Sequence, residues 1–135
     1  DGDLSLIQKL LDWMQTEKMD YTKTFYDLSQ ELLPENKIYN SKEFQEWYAL
    51  WQARLGKDSI SLRNSLKIMQ TNNPVIIPNN YYVEKALKAS EEGDLKVFLT
   101  LLEALKNPFE TTILNEPYRN TTINPNPNYQ TFCGT

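Results

Sequence analysis

Between Asn73 and Phe109 the chain reads N-P-V-I-I-P-N-N-Y-Y-V-E-K-A-L-K-A-S-E-E-G-D-L-K-V-F-L-T-L-L-E-A-L-K-N-P-F. This stretch constrains the fold most, because its prolines and its Gly-Asp pair leave room only for short helices. Proline lacks a backbone N–H and drives the residue before it out of the helical region. Val75-Ile76-Ile77, held between Pro74 and Pro78, therefore reads as an extended connector buried against the helices. Asn79 or Asn80 caps a helix with Val83, Ala86, Leu87 and Ser90 on its inner face. At Glu91-Glu92-Gly93-Asp94 the chain turns a corner, with Gly93 free to adopt positive φ and Asp94 capping a second helix. Phe98, Leu101, Leu102 and Leu105 form the apolar stripe of that helix, and Pro108 closes the stretch. The two helices should lie antiparallel as an αα-hairpin. The acidic corner lacks the alternating ligands of a calcium loop, so its residues read as caps.

The same punctuation runs upstream. Leu4, Ile7, Leu11 and Met14, widened by Leu10, predict a helix from about residue 4 to 17 with Asp3 as N-cap. Asp1 and Asp3 could be taken as a metal pair; acidic residues at a helix start are the simpler reading. Asp20 or Thr22 caps a second helix, with Phe25, Leu28 and Leu32 inward and Pro34 as its end. Ser41 caps a third. Phe44, Trp47, Tyr48, Trp51 and Leu55 line one face, and Gly56 comes next as the C′ residue. Such a stripe could stack on bases or sugars, but rings that each bury ~150–250 Å² are more often core. Asp58 or Ser59 opens a fourth helix with Leu62, Leu66 and Met69 inward. The expected fold is therefore all-α, with about six short amphipathic helices in an irregular bundle over residues 1–107. Residues 108–135 read as an extended tail in which Asn115, Asn120, Asn124, Asn126 and Asn128 alternate with Pro117, Pro125 and Pro127. Tyr118, Tyr129 and Phe132 are its candidate anchors. Asn120-Thr121-Thr122 fits a glycosylation sequon, read here as a chance match.

Composition removes whole classes of function. The 135 residues contain no histidine, which excludes a His-based triad or proton shuttle and any His-containing zinc site. Four glycines, none near another, make no phosphate-cradling loop. One cysteine makes no internal disulfide and no cysteine metal cluster. A net charge of −4 argues against nucleic acid as a partner. With no apolar run of about 18 residues and no signal peptide, no membrane span or export is expected. Nothing in the segment reads as a catalytic, cofactor-binding or metal-binding residue. The start at Asp1 reads as a piece of a longer protein.

Taken together, the ordered motifs resemble the C-terminal region of the selenoprotein O (SelO) family. The pattern N-P-x-x-I-P-x-N, then helix, Gly93-Asp94, helix and proline is similar to that family's. So are Asp20-Tyr21-Thr22 with Phe25, a helix carrying Trp47, Arg54 and Leu55, and Met69 just ahead of Asn73-Pro74. The final Thr131-Phe132-Cys133-Gly134-Thr135 resembles the family's cysteine- or selenocysteine-bearing terminus. Two positions depart from the pattern: Tyr26 and Asn79 stand where many members carry Arg.

The resemblance implies a parent with a protein-kinase-like fold that transfers AMP from ATP, with Mg (or Mn), to hydroxyls of protein substrates. ATP and metal would bind outside this segment, since no position here matches the family's nucleotide or metal ligands. The segment's implied partner is the kinase-like catalytic domain of the same chain. The implied location is cytoplasmic in a bacterium, or mitochondrial in a eukaryote. One residue carries over: Cys133 matches the terminal residue implicated in redox control. A thiol of pKa ~8.5 is a few per cent thiolate at pH 7. A flexible tail of about 25 residues reaches roughly 25–30 Å. The competing reading from the residues alone is a stand-alone helical interaction module without catalysis.

Overall fold

The computed structural model describes residues 2–58 and 60–119. Within them the chain is all-α, with six helices: α1 (Gly2–Thr16), α2 (Tyr21–Leu28), α3 (Lys42–Leu55), α4 (Leu62–Asn72), α5 (Asn80–Glu91) and α6 (Lys96–Leu105). Two 3₁₀ turns, Lys37–Asn40 and Glu116–Tyr118, complete the regular structure. Asp1, Ser59 and the run from Asn120, with its sequon, Tyr129, Phe132 and Cys133, lie outside the described residues. The chain falls into two compact units divided between Asn73 and Pro74.

The first unit is built around aromatic rings. Trp13, Tyr39, Phe44 and Trp47 are each at most 5% exposed, and they cluster with Leu10, Met14 and Leu28. Phe44 sits at the centre, its ring centroid 4.7 Å from Trp13, 4.9 Å from Tyr39 and 5.6 Å from Trp47. The α3 stripe is thus core, as expected, although Trp51 is only half-buried and stacks on Trp47 at 5.7 Å. The Trp47 indole N–H donates to the Leu6 carbonyl at 2.9 Å, fastening α3 to α1. Side-chain caps set the helix starts: Asp20 accepts from the Lys23 N–H, Ser41 from Phe44 and Ser61 from Asn64.

Several sequence-based faces come out rotated. On α1 the buried residues are Leu10, Trp13 and Met14. Leu4 and Ile7 are more than half exposed. Trp13, absent from the sequence-read stripe, claims the inner face because its ring has the most area to bury. Asp3 is not a cap but lies inside the first turn. α2 stops at Leu28, well short of Pro34, because Ser29 turns both its N–H and its hydroxyl onto the Tyr26 carbonyl. Leu32 therefore falls beyond the helix and is 83% exposed. Gly56 succeeds α3 with an ordinary right-handed φ of −66°, so no glycine-specific geometry is used there. α4 begins after Ser61 rather than at Asp58, and of its expected inner face Leu66 is buried while Leu62 is half exposed.

The second unit opens with the connector. Val75 and Ile76 are buried, Ile77 is half exposed, and the Val75 N–H donates to the Pro108 carbonyl at 2.6 Å. Asn79 caps α5. Gly93 takes φ +89°. Its N–H bonds the Ser90 carbonyl and the Asp94 N–H bonds that of Ala89, the paired bonds of a Schellman C-cap. Asp94 accepts the Lys96 N–H at 2.9 Å, but the cap position of α6 falls on Leu95, which makes no side-chain capping bond, so Asp94 tightens the corner rather than capping the helix as expected; α5 and α6 pack on each other as the expected hairpin. Beyond Pro108, buried Asn115 ties its own turn, donating to the Glu110 carbonyl and accepting from the Thr112 N–H. Tyr82 donates to the Pro117 carbonyl and meets the Tyr118 ring edge-on at 4.9 Å.

Candidate functional site

The site residue read from the sequence, Cys133, lies outside the described residues. Within the described residues the polar chemistry gathers at two places, both in the first unit. The first holds no nucleophile, and the hydroxyl–carboxylate pair of the second is buried.

The first is a clasp at the end of α3. Arg54, in the last helical turn, forks onto Asp3 of α1, with Nε to Oδ1 at 2.7 Å and Nη2 to Oδ2 at 3.1 Å. Its Nη1 reaches Asp58 Oδ1 at 2.7 Å. The planar guanidinium is suited to such two-pronged contact with a carboxylate. The Arg54 hydrogen bond, then its charge, holds the Asp3 carboxyl below the usual carboxylate range. The two carboxylates push Arg54 above its ordinary value in turn. Beside the clasp lies an open cleft of about 260 Å³ whose lining includes Lys9, Leu50 and Lys57. Arg54 already has both acids, so the clasp joins two helix ends and leaves the guanidinium no open fork for a ligand.

The second is buried. Asp27, 3% exposed, accepts the Tyr39 hydroxyl at 2.7 Å and the Lys23 ammonium at 2.7 Å. Burial, then the hydrogen bond to Asp27, holds the Tyr39 phenol far above its usual range. A carboxylate taken from water must be paired or it destabilises the fold. Here a phenol and an ammonium supply the pairing. Sequence reading missed this pair; the available signal was a charged residue directly ahead of Leu28 on the inward side of α2.

Among the described residues no group of three His, Cys, Asp or Glu side chains could hold a metal ion. Nor is any described helix long and apolar enough to cross a membrane.

Comparison with known proteins supplies what the geometry does not. Residues 2–106 match the family model described as protein adenylyltransferase SelO. The chain is 46% identical to a protein nucleotidyltransferase YdiU of Bacillus mycoides (strain KBAB4) and 46% identical to one of Bacillus cereus (strain AH187). It is 44% identical to one of Bacillus anthracis. Each of these alignments takes in all of this chain and 28% of the relative. With most of its length and its helical core inside the match, this chain belongs to the SelO family of protein adenylyltransferases.

Proposed function

We propose that this chain is the helical C-terminal segment of a protein adenylyltransferase. The parent would transfer AMP from ATP to Ser, Thr or Tyr hydroxyls of proteins, releasing pyrophosphate. The observation that carries the reading is the whole-chain identity to YdiU nucleotidyltransferases, of which this segment spans 28%. The described residues fit a supporting role. Their close polar contacts include helix caps, the Asp3–Arg54–Asp58 clasp and the buried Asp27–Tyr39 pair, all of which hold helices in place. ATP and Mg (or Mn) would therefore bind in the remainder of the polypeptide. The segment buttresses a kinase-like catalytic domain and brings Cys133 to it as a thiol open to disulfide exchange. The expected setting is the bacterial cytoplasm.

The test uses the full-length polypeptide with ATP labelled on the α-phosphate and a divalent metal, before and after reduction, with native Cys133 and with Cys133→Ala. Label on protein, with a redox response lost in the variant, is the expected result. Label that ignores the substitution would keep the transferase and remove the switch. No label under any condition would overturn the reading and leave a helical interaction module.

A further inference from the structure

α6 shows three faces. Leu101 and Ala104 turn inward and are buried. Lys96, Thr100 and Glu103 form a polar exposed face. Between these lies a face made of Leu95, Phe98, Leu99 and Leu102, spaced i, i+3, i+4, i+7 as one helical stripe. They are 57%, 40%, 57% and 45% exposed, respectively. Scattered exposed leucines are ordinary, whereas four contiguous large apolar residues on one helix face form a patch of the kind that often serves contact.

We propose that this stripe is a docking face for the part of the SelO polypeptide that lies outside the segment, a deepening that rests on the reading of the chain as an adenylyltransferase piece. Two observations favour that occupant. Relatives that align with every residue of this chain are only 28% covered by it, so most of the polypeptide is available to cover the face. α6 also lies inside the family-matched residues 2–106. The size of the face argues against a second copy. Four half-exposed side chains offer on the order of a few hundred Å², against ~800 Å² per partner in a standard interface between separate proteins. A patch that small is adequate when the partner is tethered in the same chain and held at millimolar effective concentration. The corner beside it carries exposed Glu91, Glu92 and Asp94, so the covering surface should be apolar at its centre and basic at that edge.

The experiment is site-specific labelling in the full-length polypeptide, read peptide by peptide by mass spectrometry. Leu99→Cys is compared with Thr100→Cys, its neighbour on the polar face, for rate of maleimide modification. The face being covered, Leu99→Cys should react at least about tenfold more slowly, at every protein concentration. Equal rates would overturn the proposal. A slow rate that recovers on dilution would overturn it too, in favour of self-association. Hydroxyl-radical oxidation of Phe98 in the unsubstituted polypeptide gives the same readout without a cysteine variant. Nucleotide transfer with a bare stripe would overturn the docking alone. A covered stripe without transfer would overturn the transferase reading alone.

Discussion

The two units differ in what they bury: aromatic rings dominate the first interior, whereas the second buries aliphatic side chains and alanines, Val75 and Ile76 among them. In the first, the interior is Trp13, Phe44, Tyr39 and Trp47 with Leu10, Met14 and Leu28 around them. In the second, α5 and α6 turn Ala86, Leu101 and Ala104 inward and leave Leu87, Phe98, Leu99 and Leu102 facing out. Small residues at the hairpin seam let the helix backbones approach closely, which displaces the larger side chains to the flanks. The first unit thus carries its own core. The second buries Val75 and Ile76 of the connector along with its hairpin seam, and leaves a row of large apolar side chains exposed on α6. α1 qualifies the contrast, since Leu4 and Ile7 are also exposed, but that helix still sinks Trp13 into the core.

The sharpest way to break this comparison is a matched pair of truncations. Phe44 is fully buried, so Phe44→Ala should cost about 3–5 kcal/mol, read by denaturant unfolding through the tryptophans at 13, 47 and 51. Phe98 is 40% exposed, and in the isolated segment Phe98→Ala should cost less than about 1 kcal/mol, read by circular dichroism. Comparable losses would erase the distinction between the two interiors. A Phe98→Ala penalty that grows in the full-length polypeptide would sharpen it.

How much of this was legible depends on which physical signal each feature leaves. Caps and corners are local, so Asp20, Ser41, Asn79 and Gly93 were readable: each acts on backbone groups within three residues. The α3 stripe was readable because its rings repeat at helical spacing. Inward faces were less so. On α1 the pattern Leu4, Ile7, Leu11 is as periodic as the true Leu10, Trp13, Met14, and the choice is made by ring packing with Phe44, which is distant in sequence. On α6 the polar residues Lys96, Thr100 and Glu103 mark one narrow face and the rest is apolar, so periodicity cannot say that Leu101 and Ala104, rather than Phe98 and Leu102, win the seam. The Asp27–Tyr39 bond spans twelve residues and leaves no local trace. Cys133 was read from family likeness alone, because the neighbouring sequence gives it no chemical context, and it lies outside the described residues.

Next in size are two single-group tests, one per unit. Tyr39→Phe removes a buried hydroxyl from a charged acceptor and should cost ~1.5–3 kcal/mol. The phenol's folded pKa stands above its ordinary 10.0. Its contribution is therefore complete below pH ~10 and is lost as pH rises beyond that value. The native protein should show a loss of stability above pH ~10 that is diminished in Tyr39→Phe. In the second unit Gly93→Ala should cost ~1–2 kcal/mol. A Cβ there would meet nothing within 4 Å, so the penalty is purely that of an L-residue at φ +89°. Hydrogen exchange should localise this loss to the α5–α6 corner. A loss that instead loosened the aromatic core would mean the two units do not hold separate interiors.

The smallest effect belongs to the clasp. Asp3 has its carboxyl pKa depressed below 3.8, first by the hydrogen bond from Arg54 and then by its charge. A depressed carboxyl stabilises the fold above its unfolded pKa and loses that contribution as pH falls through the folded value. The loss should therefore appear below pH ~4 and be absent in Asp3→Asn. The pair is solvent-exposed and screened by salt, so the change should be small and should shrink further as ionic strength rises. Carbon-detected titration of the Asp3 carboxyl gives the direct readout. A midpoint at or above 3.8 would show that Arg54 does not hold α1 to α3. The attachment of α1 to α3 would then rest on the Trp47–Leu6 hydrogen bond and the packing of Trp13 on Phe44.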